Sequence, residues 1–413
     1  MPENNKQLTY IDLFAGCGGL AIGLQAAGWH PMFAIEKNAQ AFETYKDNLI
    51  DKEEYDWPSW LEKTNHDINE ILKKYPDKLE ALQGKVDLVA GGPPCQGFSL
   101  AGERNQDDLR NKLVKAYVKF IRLVMPRFII FENVRGFTVR FTETKRHGKT
   151  RKYSSYIEHA LERTGYHVAH QIVDMSEYGI PEKRHRFILV ASLDASIPPS
   201  NIMSLLYSNR DDFCKSKGLS TTVSVGQAIS DLEKSHGTVS SPDTKGFMAG
   251  VYGEAQSNYQ KLMRHGIIIK QNKAVNCHRF VNHTEKTIKL HEALLEKAPR
   301  NKRLTPSNNF VPNLNRRGVT VLDYNSPAPT LTSIPDELVH YSEPRILTVR
   351  EYARIQSFPD WFEFKGPYTT GGKRRKIEVP RYTQIGNAVP PLFAEQIGVA
   401  LKKASAYEQT NQT

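Results

Sequence analysis

Asp12-Leu13-Phe14-Ala15-Gly16-Cys17-Gly18-Gly19-Leu20 reads as a strand that stops at a glycine-rich turn and gives way to a helix. Glycines in such a turn let the backbone reverse tightly and bring N–H groups close to an anionic or polar ligand at a helix N-terminus. Glu36 follows the next apolar run, Met32 to Ile35, where a carboxylate can accept hydrogen bonds from ribose hydroxyls. Gly16, Gly18 and Ala21, with Glu36 at the expected distance, also satisfy the dinucleotide fingerprint. At this point an NAD or FAD oxidoreductase and a glycine turn used only for packing both remain open.

Outward from this turn, short apolar runs alternate with amphipathic stretches as far as Val190, the pattern of βαβ units and a mainly parallel sheet. Strands are expected at Tyr10 to Phe14, Met32 to Ile35, Val86 to Ala90, Phe128 to Phe131, Val168 to Val173 and Phe187 to Ala191. Helices are expected at Leu20 to Ala27, Ala39 to Asn48, Asn69 to Ala81, Leu109 to Leu123 and Ser155 to Arg163. After Ser192 the apolar periodicity weakens and Ser, Asn, Gly, Thr and Pro become frequent, which predicts a second, loop-rich domain. A helix signal returns at Thr348 to Gln356, and a last helix is expected at Leu392 to Lys402. The segment Arg140 to Lys152 reads as a basic insertion, and the polar tail after Ser405 as frayed. The expected organisation is residues 1–192, 193–344 and a C-terminal segment, 345–413, that returns to the first domain.

Four further runs carry chemistry. Gly91-Gly92-Pro93-Pro94-Cys95-Gln96-Gly97-Phe98-Ser99 places one thiol just beyond a buried strand, where ligands bind in open α/β sheets. Prolines fix the approach of the chain, glycines leave room for a planar substrate, and only the thiolate, with a reference pKa of about 8.5, is strongly nucleophilic. Phe128-Ile129-Ile130-Phe131-Glu132 is an apolar strand ending in a carboxylate, either a solvated end residue or a group held in a cleft. In Tyr178-Gly179-Ile180-Pro181-Glu182-Lys183-Arg184-His185-Arg186 the two arginines share a face if the following strand begins early. Guanidinium forks suit phosphates or a base carbonyl. Gln384-Ile385-Gly386-Asn387-Ala388-Val389-Pro390-Pro391 describes a rigid turn into the final helix, in which Asn387 either caps that helix or meets a ligand.

Composition narrows the class. With 413 residues, 39% hydrophobic and 24% charged, the chain is expected to be a soluble globular protein without a membrane span or signal-peptide core, and hence cytoplasmic. The four cysteines, Cys17, Cys95, Cys214 and Cys277, form no Cys-x-x-Cys pair, so neither a disulfide framework nor a metal site is indicated. A net charge of +11 fits either a polyanionic partner or a merely basic, soluble surface.

In this order, the five runs resemble the DNA (cytosine-5)-methyltransferases, particularly the compact bacterial modification enzymes of restriction-modification systems, over nearly the whole chain apart from the loop-rich segment after Ser192. The resemblance implies an α/β fold: a Rossmann-like sheet of the S-adenosylmethionine-dependent methyltransferase type, with a smaller loop-rich target-recognition domain. It implies S-adenosylmethionine rather than NAD as cofactor, with S-adenosylhomocysteine as product. Phe14, Gly16, Gly18, Gly19, Pro93 and Asn387 would line the cofactor site, Glu36 would hold its ribose, and Asp67 would meet the adenine amine. Cys95 would be the nucleophile on cytosine C6, Glu132 would act at N3, and Arg186, assisted by Arg184, would hold O2. The target base must then be flipped out of the duplex, and a loop from Gln96 to about Asp108 would have to move.

Pro329-Thr330-Leu331-Thr332 resembles a recurrent element of target-recognition domains, and Arg345 to Asp360 a segment that organises them. Glu182 stands where the family usually has Gln. The implied partner is double-stranded DNA, with a cognate restriction endonuclease only as a functional partner, no membrane, and a monomeric enzyme in a bacterial cytoplasm, associated with the nucleoid through DNA. A tRNA cytosine-5 methyltransferase on the same fold is the alternative. The Cys-Phe-Thr tripeptide typical of those relatives is absent.

Overall fold

The computed structural model describes residues 7–94, 109–138, 153–270, 272–305, 318–369 and 378–411. The chain divides into two compact units, one of residues 1–174, 185–210 and 393–413, the other of 175–184 and 211–392.

The first unit is built on a six-stranded sheet. Its strands are β1 (Thr9–Leu13), β2 (His30–Ile35), β3 (Leu88–Gly91), β4 (Phe128–Val134), β5 (His167–Asp174) and β7 (His185–Ser192), while the short β6 (Glu182–Lys183) belongs to the second unit. The order is β2-β1-β3-β4-β7-β5. The first four strands are parallel, and β7 runs antiparallel to both β4 and β5. Among the parallel strands, which are covered on both faces, β3 is buried throughout, and the antiparallel β7, between β4 and β5, is buried after its first residue.

Apolar residues at alternate positions, Ile11 and Leu13, Ile129 and Phe131, Phe187 and Leu189, join one hydrophobic cluster. Tyr117, Phe120 and Ile121 of helix Leu109–Val124 and Ile157 and Leu161 of helix Tyr153–Glu162 belong to the same cluster. The C-terminal helix also returns to this unit: the Trp29 indole N–H donates to the Gly398 carbonyl at 3.0 Å, and a Cβ on Gly398 would sit 2.8 Å from Ala27 Cβ.

Local chemistry moved several expected boundaries. The helix expected over Ala39 to Asn48 is α-helical only to Tyr45 and continues as a π-helical turn, Lys46–Ile50. The expected helix Asn69 to Ala81 is two helices, Ile68–Lys74 and Pro76–Glu80, because Pro76 has no N–H to donate and occupies the first position of the second. The tail is helical as far as Asn411.

The region after Ser192 holds more regular structure than its composition suggested, including helices Pro199–Ser208, Val225–Ile229, Asn258–Met263 and Glu285–Lys297. Two of these start at capping boxes, Ser224 with Gln227 and Ser257 with Gln260.

The second unit is organised by buried ion pairs. Arg354, on helix Val349–Ile355, is fully buried. It donates to both oxygens of Asp360 at 2.5 and 2.6 Å, to both oxygens of Asp231 at 3.2 Å, and to the Ala228 carbonyl at 2.9 Å. Arg345 makes a two-pronged contact with Glu351 at 2.7 and 2.8 Å and a further bond to Glu343 at 2.6 Å. Burial opposes ionisation of Glu351, yet the Arg345 charge and its hydrogen bonds bring the carboxyl down to about 2. Buried charges are tolerated when each donor and acceptor is matched in this way.

Candidate active site

The turn after β1 has the conformation its glycines allow. Gly16 and Gly18 are left-handed, at φ +56° and +100°, and Gly18 caps the helix Gly19–Ala26. A side chain on Gly18 would strike Leu49 Cδ1 at 2.7 Å. Phe14, also left-handed at φ 56° and only half-buried, departs from the strand before the turn. The Gly16 N–H donates to Glu36 Oε2 at 3.0 Å and the Asn38 N–H to Oε1 at 2.7 Å. The carboxylate that follows β2 is therefore fixed against the glycine turn. Burial raises the Glu36 pKa, opposed by the N–H groups of Asn38, Gly16 and Lys37.

The chain carrying Asp67 is tied to this corner, because the His66 N–H donates to the Glu36 carbonyl at 2.8 Å. Asp67 caps the helix Ile68–Lys74 by accepting the Asn69 N–H at 2.8 Å, and pairs with Lys37 at 2.8 Å. Partial burial raises its pKa, but Lys37 and Asn69 outweigh this and hold it below the usual carboxylate range.

A residue passed over in the sequence lies in β1 itself. Asp12 is buried, and among the described residues neither carboxylate oxygen has a hydrogen-bond partner. Desolvation, with the Glu36 charge, pushes its pKa well above the ordinary value.

The strand ends of β3 and β4 meet with no room between them. A Cβ on Gly91 would lie 1.9 Å from the Leu13 carbonyl oxygen, and one on Gly92 1.8 Å from that of Glu132. Only glycine allows the chain to pass between β1 and β4 here. The Asn133 side chain then donates to the Pro93 carbonyl at 3.1 Å, fixing the start of the proline turn. Asn133 is a second residue that sequence reading missed. Cys95, with the segment through Asp108, lies outside the described residues, as does the basic stretch Arg140 to Lys152.

Glu132 and Arg186 are brought together. Glu132 is on β4 and Arg186 on β7, and Arg186 Nε lies 3.0 Å from Glu132 Oε1. Both side chains keep some exposure, 16% and 11%, so the pair sits at an accessible strand end and not in the core. Arg186 also donates to the His185 carbonyl at 2.9 Å.

Arg184 is placed differently. The strand β7 begins at His185, too late for the two arginines to alternate along it, and Arg184 belongs to the second unit. Fully buried, it donates to the carbonyls of Gly386 and Ala388 at 3.0 and 3.1 Å, on either side of Asn387. Asn387 is exposed and is the last residue of a short helix, Arg381–Asn387, so it does not cap the helix that starts at Pro391.

Glu182 takes the pairing expected of a carboxylate there, with Arg184 Nη1 at 3.4 Å, and also accepts the Leu331 N–H at 2.6 Å. The Pro329-Thr330-Leu331-Thr332 run thereby joins the arrangement: Ala328–Pro329 pairs with β6, and a Cβ on Gly386 would meet the Thr332 carbonyl at 2.7 Å.

A mostly parallel sheet with its penultimate-position strand reversed, a glycine turn after β1 and a carboxylate after β2 fixed against that turn define the S-adenosylmethionine-dependent methyltransferase class of α/β folds. The chain belongs to the C-5 cytosine-specific DNA methylase family, whose profile matches residues 8–403. It is similar to the type II methyltransferase M.DdeI of Desulfomicrobium norvegicum, with 30% identity over 94% of this chain and 87% of that one. M.XorII of Xanthomonas oryzae pv. oryzae is 30% identical over 95% of this chain and 84% of that one.

Among solved structures, a prophage-encoded DNA modification methyltransferase from E. coli matches with a TM-score of 0.65 and 24% identity, over 97% of this chain and 100% of that chain. The Entamoeba histolytica methyltransferase EhMeth matches with a TM-score of 0.52 and 16% identity, over 96% and 98%. The protein is an enzyme, a DNA (cytosine-5-)-methyltransferase. Among the described residues, no helix is long and apolar enough to cross a membrane.

Proposed function

We propose that the chain transfers the methyl group of S-adenosylmethionine to C5 of a specific cytosine in double-stranded DNA, as the modification half of a restriction-modification system. The observation that carries this reading is the Glu132–Arg186 pair, at a strand end packed directly against Gly92 of the Cys95 run. A cytosine presents a ring nitrogen at N3 and a carbonyl at O2, and this carboxyl and guanidinium match them in type.

The residues present fit the cofactor. Glu36 is fixed for two ribose hydroxyls, since a carboxylate offers about four lone-pair sites. The buried, unpartnered carboxylate of Asp12 suits a cationic ligand. Phe14, Gly16, Gly18, Gly19, Asp67, Pro93 and Asn387 complete the set assigned to it. When bound, S-adenosylmethionine supplies an electrophilic methyl group on its sulfonium and leaves as S-adenosylhomocysteine.

Cytosine C5 is a poor nucleophile. Cys95 sulfur adds to C6, and the electron pair of the C5–C6 double bond shifts toward C5. Glu132 donates a hydrogen bond or proton at N3 while Arg186 holds O2, both countering the charge that develops. Once C5 carries the methyl group a water molecule takes the C5 proton, the C–H electron pair re-forms the C5–C6 double bond, Cys95 leaves as the thiolate, and any proton lent at N3 returns to Glu132. Arg184 assists through Asn387, whose flanking carbonyls it holds. The reaction requires the base outside the stack, so the target is flipped. Residues 193–344 are assigned to target recognition, and one copy of the chain in the bacterial cytoplasm suffices.

The test is transfer of labelled methyl from S-adenosylmethionine to duplex DNA and, in parallel, to tRNA. DNA is expected to be the acceptor, and Cys95→Ala is expected to remove transfer by about 10⁵-fold while cofactor affinity is kept. Near-normal turnover in that variant would overturn the role of Cys95, and labelling of tRNA alone would overturn the substrate.

A further inference from the structure

Two arginines lie over the ring of Tyr368 in the second unit, and they differ in what they bind. Arg381 is 4.2 Å from the ring centroid and commits its donors within the fold: Nη1 to Asp243 at 2.9 Å and Nε to the Gly366 carbonyl at 2.9 Å. Asp243 also accepts the Tyr368 hydroxyl at 2.8 Å. Arg279 is 3.7 Å from the same ring and 4.1 Å from that of Phe247. No carboxylate or carbonyl among the described residues takes a hydrogen bond from it, and its enclosed Nε has no acceptor.

The position of Arg279 is nevertheless fixed. Its backbone bridges Ala249 in the strand Met248–Gly250, with the neighbouring bonds Gly250 N–H to His278 carbonyl and Phe280 N–H to Met248 carbonyl. Two aromatic faces hold the planar group, so little freedom remains to be lost on binding. Half-burial pulls its pKa below the ordinary arginine value. Asp243 acts on Arg279 only through space, without a hydrogen bond among the described residues, and a partly desolvated cation whose donors are not taken up is costly until an anion or a strong acceptor pair arrives.

We propose that Arg279 is a DNA contact, its guanidinium fork taking a two-acceptor group of the duplex, either phosphate oxygens or the O6/N7 edge of a guanine. The inference rests on the proposed function, in which duplex DNA is the substrate, and places one contact within the segment assigned to recognition. Arg381 is the internal contrast, since over the same ring its Nε and Nη1 are both bound within the fold.

The experiment measures duplex binding by fluorescence anisotropy against salt concentration, on target and unrelated sequences, for the full chain and for Arg279→Met and Arg279→Gln. Thermal midpoint and S-adenosylmethionine affinity are measured alongside. Both variants are expected to keep cofactor affinity and lose about 5- to 150-fold in duplex affinity. A phosphate contact lowers affinity for all sequences and reduces the salt slope by about one. A guanine contact confines the loss to the target and relaxes methylation at one guanine. If the wild-type chain binds duplex and a folded variant binds it with unchanged affinity, salt slope and site preference, Arg279 is a packing group and the proposal is overturned. A wild-type chain that bound no duplex would overturn the reading of function, and this inference with it.

Discussion

In the first unit the carboxylates of Glu36 and Glu132 stand at strand ends, Glu36 accepting the Gly16 and Asn38 N–H groups and Glu132 facing Arg186. In the second unit Arg354 and Arg345 are enclosed, and between them they bind four carboxylates. The residue types are the same, and what separates them is enclosure. A charged group near a strand end that keeps some exposure can be reached by a ligand, and one wholly enclosed among its partners holds the architecture. Arg186 and Arg184, two positions apart, fall on opposite sides of this division: one faces a strand-end carboxylate, the other is buried against main-chain carbonyls.

If the strand-end pair is chemical, removing charge there should leave the fold intact and the reaction impaired. Glu132→Gln is expected to lower kcat by about 10²- to 10⁴-fold with cofactor affinity and thermal midpoint unchanged. A loss of stability matching the loss of rate would erase the distinction. The converse change in the saturated network should act on the fold first. Arg354→Leu leaves Asp231 and Asp360 without their shared cation, and is expected to cost about 3–5 kcal/mol in urea unfolding. An unchanged midpoint would contradict the assignment of that network to architecture.

Acid should also separate the two regions. His278 is fully buried, with its ring nitrogens on Thr348 Oγ1 at 2.8 Å and the Leu232 carbonyl at 2.7 Å, and desolvation brings its pKa down to about 4. Between about pH 6.5 and pH 4 the unfolded chain takes up a proton there that the folded chain does not. Stability is therefore present above pH 6.5 and lost as pH falls toward 4, by on the order of 3 kcal/mol for this group. Glu351, held ionised to about 2, adds a loss of the same sign that begins only as pH falls through about 4.5, the unfolded glutamate value, and continues toward 2. Urea midpoints measured from pH 7 to 4.5 check the sign, and a flat profile in wild type would contradict it.

The smallest effect is expected at Glu182→Gln. The amide oxygen can still accept the Leu331 N–H and Arg184 keeps its two carbonyls, but the buried guanidinium loses its carboxylate at 3.4 Å, so the shift should be about 1–3 kcal/mol by thermal unfolding, below that of Arg354→Leu.

Much of the first unit was legible because its strands are uninterrupted apolar runs, Phe128 to Phe131 and Phe187 to Ala191 among them, and because glycine turns mark their ends. The helix break at Tyr75-Pro76 was also readable and was passed over. In the second unit the helices are short and their apolar periodicity weak, but the capping pairs Ser224 with Gln227 and Ser257 with Gln260 were present as signals. The Glu132–Arg186 contact follows from strand pairing, since Val134 of β4 lies opposite Arg186 of β7. Asp12 and Arg279 were not legible. Nothing local tells that the first lacks a partner, and the rings against the second come from Phe247 and Tyr368, distant in sequence.

Bisulfite sequencing of plasmid DNA from cells expressing the chain, beside DNA from cells expressing Cys95→Ala, tests the central claim most directly. The account predicts protected cytosines at one recurring sequence with the wild-type chain and none with the variant. Unprotected cytosines throughout the wild-type sample, or the same protection in both, would contradict it.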